Sequence, residues 1–213
     1  MKRIIDLSCE LFNCAPVFDA DPKTCFKQFQ SIKSIGYNIL QLSMSSHLGT
    51  HVDAPYHFLE YGQTIDKINL SKFIGKANII DFSNKKIGDL IDICDLEIHR
   101  DKFVEDGKII LRTDWGENYF DEIYFTKFPQ ITIEAAKWIA KTGIHLLGVE
   151  TPSLNLVKYI EVHKILLEKE IVILEGLINV KEIQGDSTYL IALPLKIRNG
   201  DGSPVRAISV NDI

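Results

Sequence analysis

Long hydrophobic runs, basic clusters and paired cysteines are all missing from this 213-residue chain. No apolar stretch approaches the roughly 20 residues that a membrane-spanning helix requires, so the chain is not expected to enter a membrane. Met1 to Ser8 is a short alternating apolar segment without the charged region, long apolar run and small-residue cleavage site of a secretory signal. A cytoplasmic location is therefore expected. Lys and Arg number 24 against 29 Asp and Glu, and no basic run interleaves with aromatics. That balance speaks against nucleic acid or an anionic lipid surface as a partner, since phosphates need a basic face. The four cysteines, Cys9, Cys14, Cys25 and Cys94, include no CxxC pair and read as free thiols. No repeat, low-complexity tract or Gly/Ser/Pro-rich linker divides the chain, so residues 1–213 read as one domain. A chain of this length buries roughly 70% of its unfolded surface and needs no disulfide or structural metal to hold its core.

What is present is a mixture of strand and helix patterns. Ile4 to Leu7 reads as a strand, and Asn13 to Pro22 as irregular, with Pro16 and Pro22 as breakers. Phe26 to Ile35 and Tyr37 to Met44 read as two strands joined at Gly36. Lys76 to Phe82 and Lys108 to Leu111 are further short strands. Thr132 to Lys141 is the clearest helix, with Thr132 as cap, Glu134 suited to the positive N-terminal dipole and Gly143 to end it. His145 to Val149 reads as a buried strand, Leu156 to Lys169 as a second helix, and Ile171 to Leu174 and Tyr189 to Ile197 as late strands. The expected fold class is α/β or α+β with a substantial sheet.

The segment Ser46-His47-Leu48-Gly49-Thr50-His51-Val52-Asp53-Ala54-Pro55-Tyr56-His57-Phe58 carries the chemistry. Gly49 and Pro55 argue against a helix here, and Leu48 occupies the position where the helical zinc-protease motif needs a glutamate. On an extended chain, His51 and Asp53 point the same way, and a turn at Gly49 can fold His47 back beside them. Imidazole and carboxylate are a ligand set for zinc, manganese or iron without any thiolate. His57, beyond Pro55, reads as a fourth ligand or a proton shuttle. Three unrelated histidines would be the plain alternative, but three within this spacing, with an Asp and turn residues between them, point to a metal site.

Downstream, Ile160, His163, Leu166 and Leu167 share a helical stripe, so His163 points inward. Read alone it is a core histidine. Glu175 closes the apolar run Ile171 to Leu174, and a buried unpaired carboxylate is costly, so it must neutralise, pair or bind metal. A metal would give His163 a partner as well. His99 reads as solvated, His145 as structural, and Asp201-Gly202 as a turn.

These residues resemble a known family. The run from His47 to Phe58 is similar to the His-x-Gly-Thr-His-x-Asp-x-Pro-x-His-Phe motif of the Putative cyclase superfamily, which includes the bacterial kynurenine formamidases and the isatin hydrolases. The resemblance continues through Gly148 to Ser153, His163 to Gly176, and Leu193-Pro194-Leu195 to Arg206. It implies a swivelling β/β/α fold, a dimer or larger homo-oligomer, and a small-molecule substrate. It implies His47, His51, Asp53, His163 and Glu175 as ligands for one or two divalent ions, zinc first and manganese next, and His57 as proton donor and acceptor. It also implies that Phe18 stands in a substrate-binding position where the formamidases tend to place a Trp. Members often carry Asp where this chain has Glu150 and Asn155.

Hydrolysis makes chemical sense of such a set. A metal brings the pKa of bound water to about 7 and polarises the scissile carbonyl, and a nearby unliganded His can protonate the departing nitrogen. The expected activity is that of an arylformamidase acting on N-formylkynurenine, with Phe18, Phe58, Trp115, Tyr119 and Phe120 as candidate walls of an aryl pocket. Opening of a cyclic amide or lactone, as in the isatin hydrolases, is the alternative within the class. A metal-stabilised binding protein without turnover is the alternative outside it, but structural zinc sites are closed and Cys-rich, unlike this one.

Overall fold

A computed structural model of the chain describes residues 3–211; Met1, Lys2, Asp212 and Ile213 lie outside the described residues. Strands and helices follow in the order β1 (Arg3–Asp6), β2 (Cys25–Gln30), α1 (Ile32–Ile35), β3 (Ile39–Ser43), β4 (His51–Asp53), β5 (Ile74–Asp81), β6 (Leu90–Ile91), α2 (Ile93–Glu97), β7 (Lys108–Arg112) and β8 (Gln130–Ile131). The chain continues through α3 (Ile133–Ile139), β9 (Leu146–Val149), α4 (Tyr159–Leu167), β10 (Val172–Glu175), β11 (Ser187–Ile191), β12 (Gly202–Pro204) and β13 (Ile208–Asn211). Nine strands form one sheet in the order β1-β13-β11-β5-β7-β9-β10-β4-β12. Its centre, β5-β7-β9-β10, is parallel, and antiparallel pairs flank it on both sides. The class is the mixed α and β expected.

The central strands are apolar on both faces because both faces are covered. Side chains alternate across a strand, and the core divides accordingly. Ile80, Ile109, Leu111, Leu147, Val149 and Ile173 pack on one side with residues of α2, α3 and α4. Ala77, Ile79, Ile110, Leu146, Val172 and Leu174 pack on the other with Leu7, Phe73 and Leu190. This alternation positions the chemistry. In β10, Val172 and Leu174 face the second core, so Ile173 and Glu175 face α4. In β4, Val52 joins the second core, so His51 and Asp53 also face α4.

Helix α4 is held on the sheet by Val162, Leu166 and Leu167, all fully buried, each contributing roughly 1.5–3 kcal/mol. Together they exceed the cost of burying one hydrogen-bonded imidazole on the same face. The helix begins at Tyr159, later than the expected Leu156, because Asn155 Oδ1 accepts the Val157 and Lys158 N–H groups and so holds an Asx turn ahead of it. Helix α3 keeps its expected place, with the Thr132 hydroxyl accepting the Ala135 N–H.

Two strand expectations are corrected. The run to Ile35 is not continuous strand: Ser31 and Ser34 cap the short helix α1, and Gly36, at φ +87°, ends it. Strand β11 stops at Ile191, short of the expected Ile197, as the chain reaches Pro194, which has no N–H for the ladder. Among the described residues no helix is long and apolar enough to cross a membrane. Each cysteine is a free thiol, Cys9 buried and the others exposed.

Candidate metal centre

Register brings the far-apart ligand candidates together. In the antiparallel pair β10–β4, Glu175 stands opposite His51 and Ile173 opposite Asp53. Gly49, at φ +62°, turns the chain just ahead of β4, and Gly176, at φ +69°, turns it just after β10. The two turns touch: a Cβ on Gly176 would lie 2.6 Å from the Gly49 carbonyl oxygen, so only glycine fits there. The Thr50 hydroxyl locks the crossing, donating to the Gly176 carbonyl at 2.6 Å and accepting the Cys9 N–H at 2.8 Å.

The side chains converge from these elements. His51 Nε2 lies 3.5 Å from Asp53 Oδ1 and 3.5 Å from Glu175 Oε2. His163 Nε2 lies 3.1 Å from Glu175 Oε1 and 3.6 Å from Asp53 Oδ2. His47 donates from Nδ1 to Asp53 Oδ1 at 2.8 Å. His57 stacks on His47 with ring centres 3.9 Å apart. Thus all six expected residues, His47, His51, Asp53, His57, His163 and Glu175, meet in one cluster, and Glu175 and His163 cross more than a hundred residues of sequence to reach it.

Donor chemistry tests whether these residues suit a metal. His51 donates Nδ1–H to the Gly49 carbonyl at 2.9 Å, and His163 donates Nδ1–H to the Tyr159 carbonyl at 2.6 Å. Each ring thereby turns Nε2 toward the carboxylates, the orientation that outer hydrogen bonds impose on metal-ligating histidines. Ligand atoms of His51, Asp53 and Glu175 lie within 4.8 Å of one another, as do those of His47, Asp53 and His57. Asp53 belongs to both groups. Two buried carboxylates facing imidazole nitrogens at this spacing fit a divalent ion, or a pair sharing Asp53.

With no ion bound, the imidazoles and carboxylates pair with one another. Burial alone would raise the Asp53 carboxyl, but the His47 hydrogen bond holds it well below the usual range. Burial would lower His47, yet its bonds to Asp201 and Asp53 push it up to about 10. His163 is likewise raised by Glu175 against its own desolvation.

One residue of this network escaped sequence reasoning. Asp201, expected to be a plain turn residue, accepts a hydrogen bond from His47 Nε2 at 2.9 Å, lies 3.6 Å from His57 Nδ1 and accepts from the Ser46 hydroxyl at 2.9 Å. The His47 bond holds its carboxyl far below the usual range. Pairing of β12 with β4, Gly202 opposite Asp53, puts it there. Its place inside the family-like stretch from Leu193 to Arg206 was the available signal.

A cavity of about 500 Å³ opens over the cluster. Phe18 and Phe58 line it as expected, joined by Phe128 and Tyr159, which sequence reasoning missed. The other expected wall residues are corrected. Trp115 packs in a buried cluster with Cys9, Tyr124 and Phe128, Tyr119 belongs to that cluster and borders only the small crevice behind Phe18, and Phe120 is 70% exposed to solvent. His99 sits edge-on to Phe82, and His145 pairs with Asp106, both away from the cluster. Glu150 is structural at its end of β9: its Oε2 accepts the Thr113 and Asp114 N–H groups at 2.6 and 2.7 Å, while burial pushes its carboxyl up to about 7.

Sheet, cluster and cavity define the class, an α/β protein with a candidate His/carboxylate metal centre. The chain belongs to the Putative cyclase family, whose model matches residues 5–155. It is 35% identical to the kynurenine formamidase of Geobacillus thermodenitrificans over 212 residues, covering 97% of each chain. In fold it is similar to an isatin hydrolase bound to the product analogue thioisatinate, with a TM-score of 0.91, 22% identity, and coverage of 100% of this chain and 93% of that one. It is also similar to a predicted metal-dependent hydrolase from Bacillus stearothermophilus, with a TM-score of 0.83, 23% identity and full coverage of both chains.

Proposed function

We propose that the chain, acting as one domain over residues 1–213, is a metal-dependent hydrolase of small aryl amides, an arylformamidase that converts N-formylkynurenine and water to kynurenine and formate. The observation that carries this reading is the convergence of three imidazoles and two buried carboxylates at the foot of a cavity with aromatic walls. His47, His51, Asp53, His163 and Glu175 would hold one or two divalent ions, zinc first and manganese second. A divalent ion held there supplies a Lewis acid and makes water nucleophilic at neutral pH.

The chain's own residues do the rest. Phe18, Phe58, Phe128 and Tyr159 bury an aryl ring and exclude water around it. His57 is less buried than His51 or His163 and is stacked on His47 with Asp201 near its Nδ1. It is positioned to pass a proton to the departing aniline nitrogen and to recover one from solvent. Asp201 fixes the outer nitrogen of His47, as second-layer carboxylates do for ligand histidines.

We further propose a cytoplasmic homodimer. Among the described residues the β2–β3 pair joins no other strand, and it exposes Phe29, Ile39, Leu40 and Leu42. A two-stranded hairpin is marginal alone in water, and a second copy would cover that surface.

The test is turnover by metal-loaded protein of N-formylkynurenine and, in parallel, isatin. Release of kynurenine and formate supports the reading. Faster opening of isatin than of any formamide would replace it with the cyclic-amide alternative. Turnover of neither, with metal bound, would leave a binding protein.

A further inference from the structure

The cavity carries charge that the chemistry above does not use. Apart from the His/Asp/Glu cluster, its ionisable lining residues include Asp19 and Asp21, and no Lys or Arg lines it among the described residues. Asp19 is exposed at the rim, whereas Asp21 is half-buried. The Asp21 carboxylate accepts no hydrogen bond and forms no ion pair among the described residues. Its backbone N–H donates to the Phe18 carbonyl at 2.9 Å, so one tight turn carries both a wall aromatic and a free anion. Phe18 is in turn held edge-on by Phe125, with ring centres 4.9 Å apart. Asp21 also borders the crevice behind Phe18 that reaches His47 and His51.

We propose that Asp21 is a specificity-determining residue that binds a protonated amine on the substrate's side chain. The inference rests on the arylformamidase reading and names a residue that selects the substrate within it. A carboxylate that is partly desolvated and otherwise unpaired gains a charge-assisted hydrogen bond from an ammonium, about twice as strong as a neutral one. Aromatic walls such as Phe18 add attraction for the same cation. A substrate acid finds no Lys or Arg in the cavity and stays at the solvent side. A neutral cyclic amide such as isatin gains nothing from Asp21, so the residue sorts the two candidate substrate classes.

The experiment compares kcat/KM for N-formylkynuramine, an aryl formamide with an ammonium and no carboxylate, with that for neutral formanilide. Wild type, Asp21→Asn and Asp21→Glu are measured. In Asp21→Asn the loss for N-formylkynuramine should exceed the loss for formanilide by about tenfold to a hundredfold, and Asp21→Glu should recover part of it. Equal losses for both substrates would overturn the assignment and leave Asp21 a loop residue. A second readout needs no turnover: wild-type protein should bind kynuramine at least about tenfold more tightly than 2-aminoacetophenone, its neutral counterpart, by calorimetry, and Asp21→Asn should lose most of that preference. If neither formamide is hydrolysed, the arylformamidase reading fails, while the kynuramine comparison still decides Asp21. Equal affinity for the two amines in wild type, or an undiminished preference for kynuramine in Asp21→Asn, would overturn the proposal.

Discussion

Thr50→Val removes the hydroxyl that joins the two turns of the candidate centre while keeping the side chain's shape. Thr50 is buried, with its Oγ1 between the Cys9 N–H and the Gly176 carbonyl. The substitution leaves the Cys9 N–H without its partner and strips the Gly176 carbonyl of one of two donors, the Cys9 thiol at 3.2 Å remaining. The unpaired Cys9 N–H costs about 1–3 kcal/mol and the lost bond to the still-paired carbonyl about 0.5–1.5 kcal/mol, so the two together amount to about 1.5–4.5 kcal/mol. For a chain of this size 1 kcal/mol moves the midpoint by about 2–4 °C, so the metal-free variant should melt roughly 5–15 °C lower. The Gly49 and Gly176 turns flank His51 and Glu175, so loosening them should also speed loss of metal to a chelator. Thr50→Ser, which keeps both bonds, should retain most of the stability and the slow metal release. The assay is thermal unfolding of the three metal-free proteins, followed by chelator competition on the loaded ones. A fall of less than about 2 °C in Thr50→Val, with unchanged metal release, would refute the role given to this hydroxyl.

His51→Ala should lose metal, whereas His57→Ala should keep it and lose turnover by roughly 10²–10⁴-fold, least for amides with good leaving groups; metal content and rates across a leaving-group series check this, and equal metal loss in both variants would make His57 a ligand. Asp201→Asn should weaken metal retention through His47 without abolishing it, measured by chelator competition, and unchanged retention would remove Asp201 from the network. Glu150 holds its proton to about pH 7 when folded, against an ordinary value of 4.5. The unfolded chain therefore binds fewer protons between those values, stability falls as pH rises through that window, and the full cost above it is roughly 3 kcal/mol. Glu150→Gln should flatten that slope in thermal melts from pH 4 to 8, and an unchanged slope would contradict the assignment.

The local part of the site was legible because it is written in adjacent residues. Gly49 had to turn, and His51 and Asp53, two apart, had to share a face of β4. Glu175 was legible for a different reason: a carboxylate ending an apolar strand has to find a partner. Asp201 was not legible as a partner, because its placement depends on the register of β12 against β4, set by non-local pairing rather than by any pattern in its own neighbourhood. The same holds for the aromatics. Trp115 and Tyr159 are both aromatic, and only the packing decides that Tyr159 lines the cavity while Trp115 is buried away from it. The late start of α4 turned on one side chain, Asn155, whose carbonyl oxygen diverts two backbone N–H groups.

Metal content tests the central claim most directly. Elemental analysis of the wild-type protein, purified without chelators, is compared with that of Glu175→Ala, and both are melted with and without added zinc or manganese. The account predicts about one or two equivalents of a divalent transition metal per wild-type chain, a higher midpoint on adding metal, and loss of both in the variant. Wild-type protein that carries no such metal and gains no stability from zinc or manganese would contradict it.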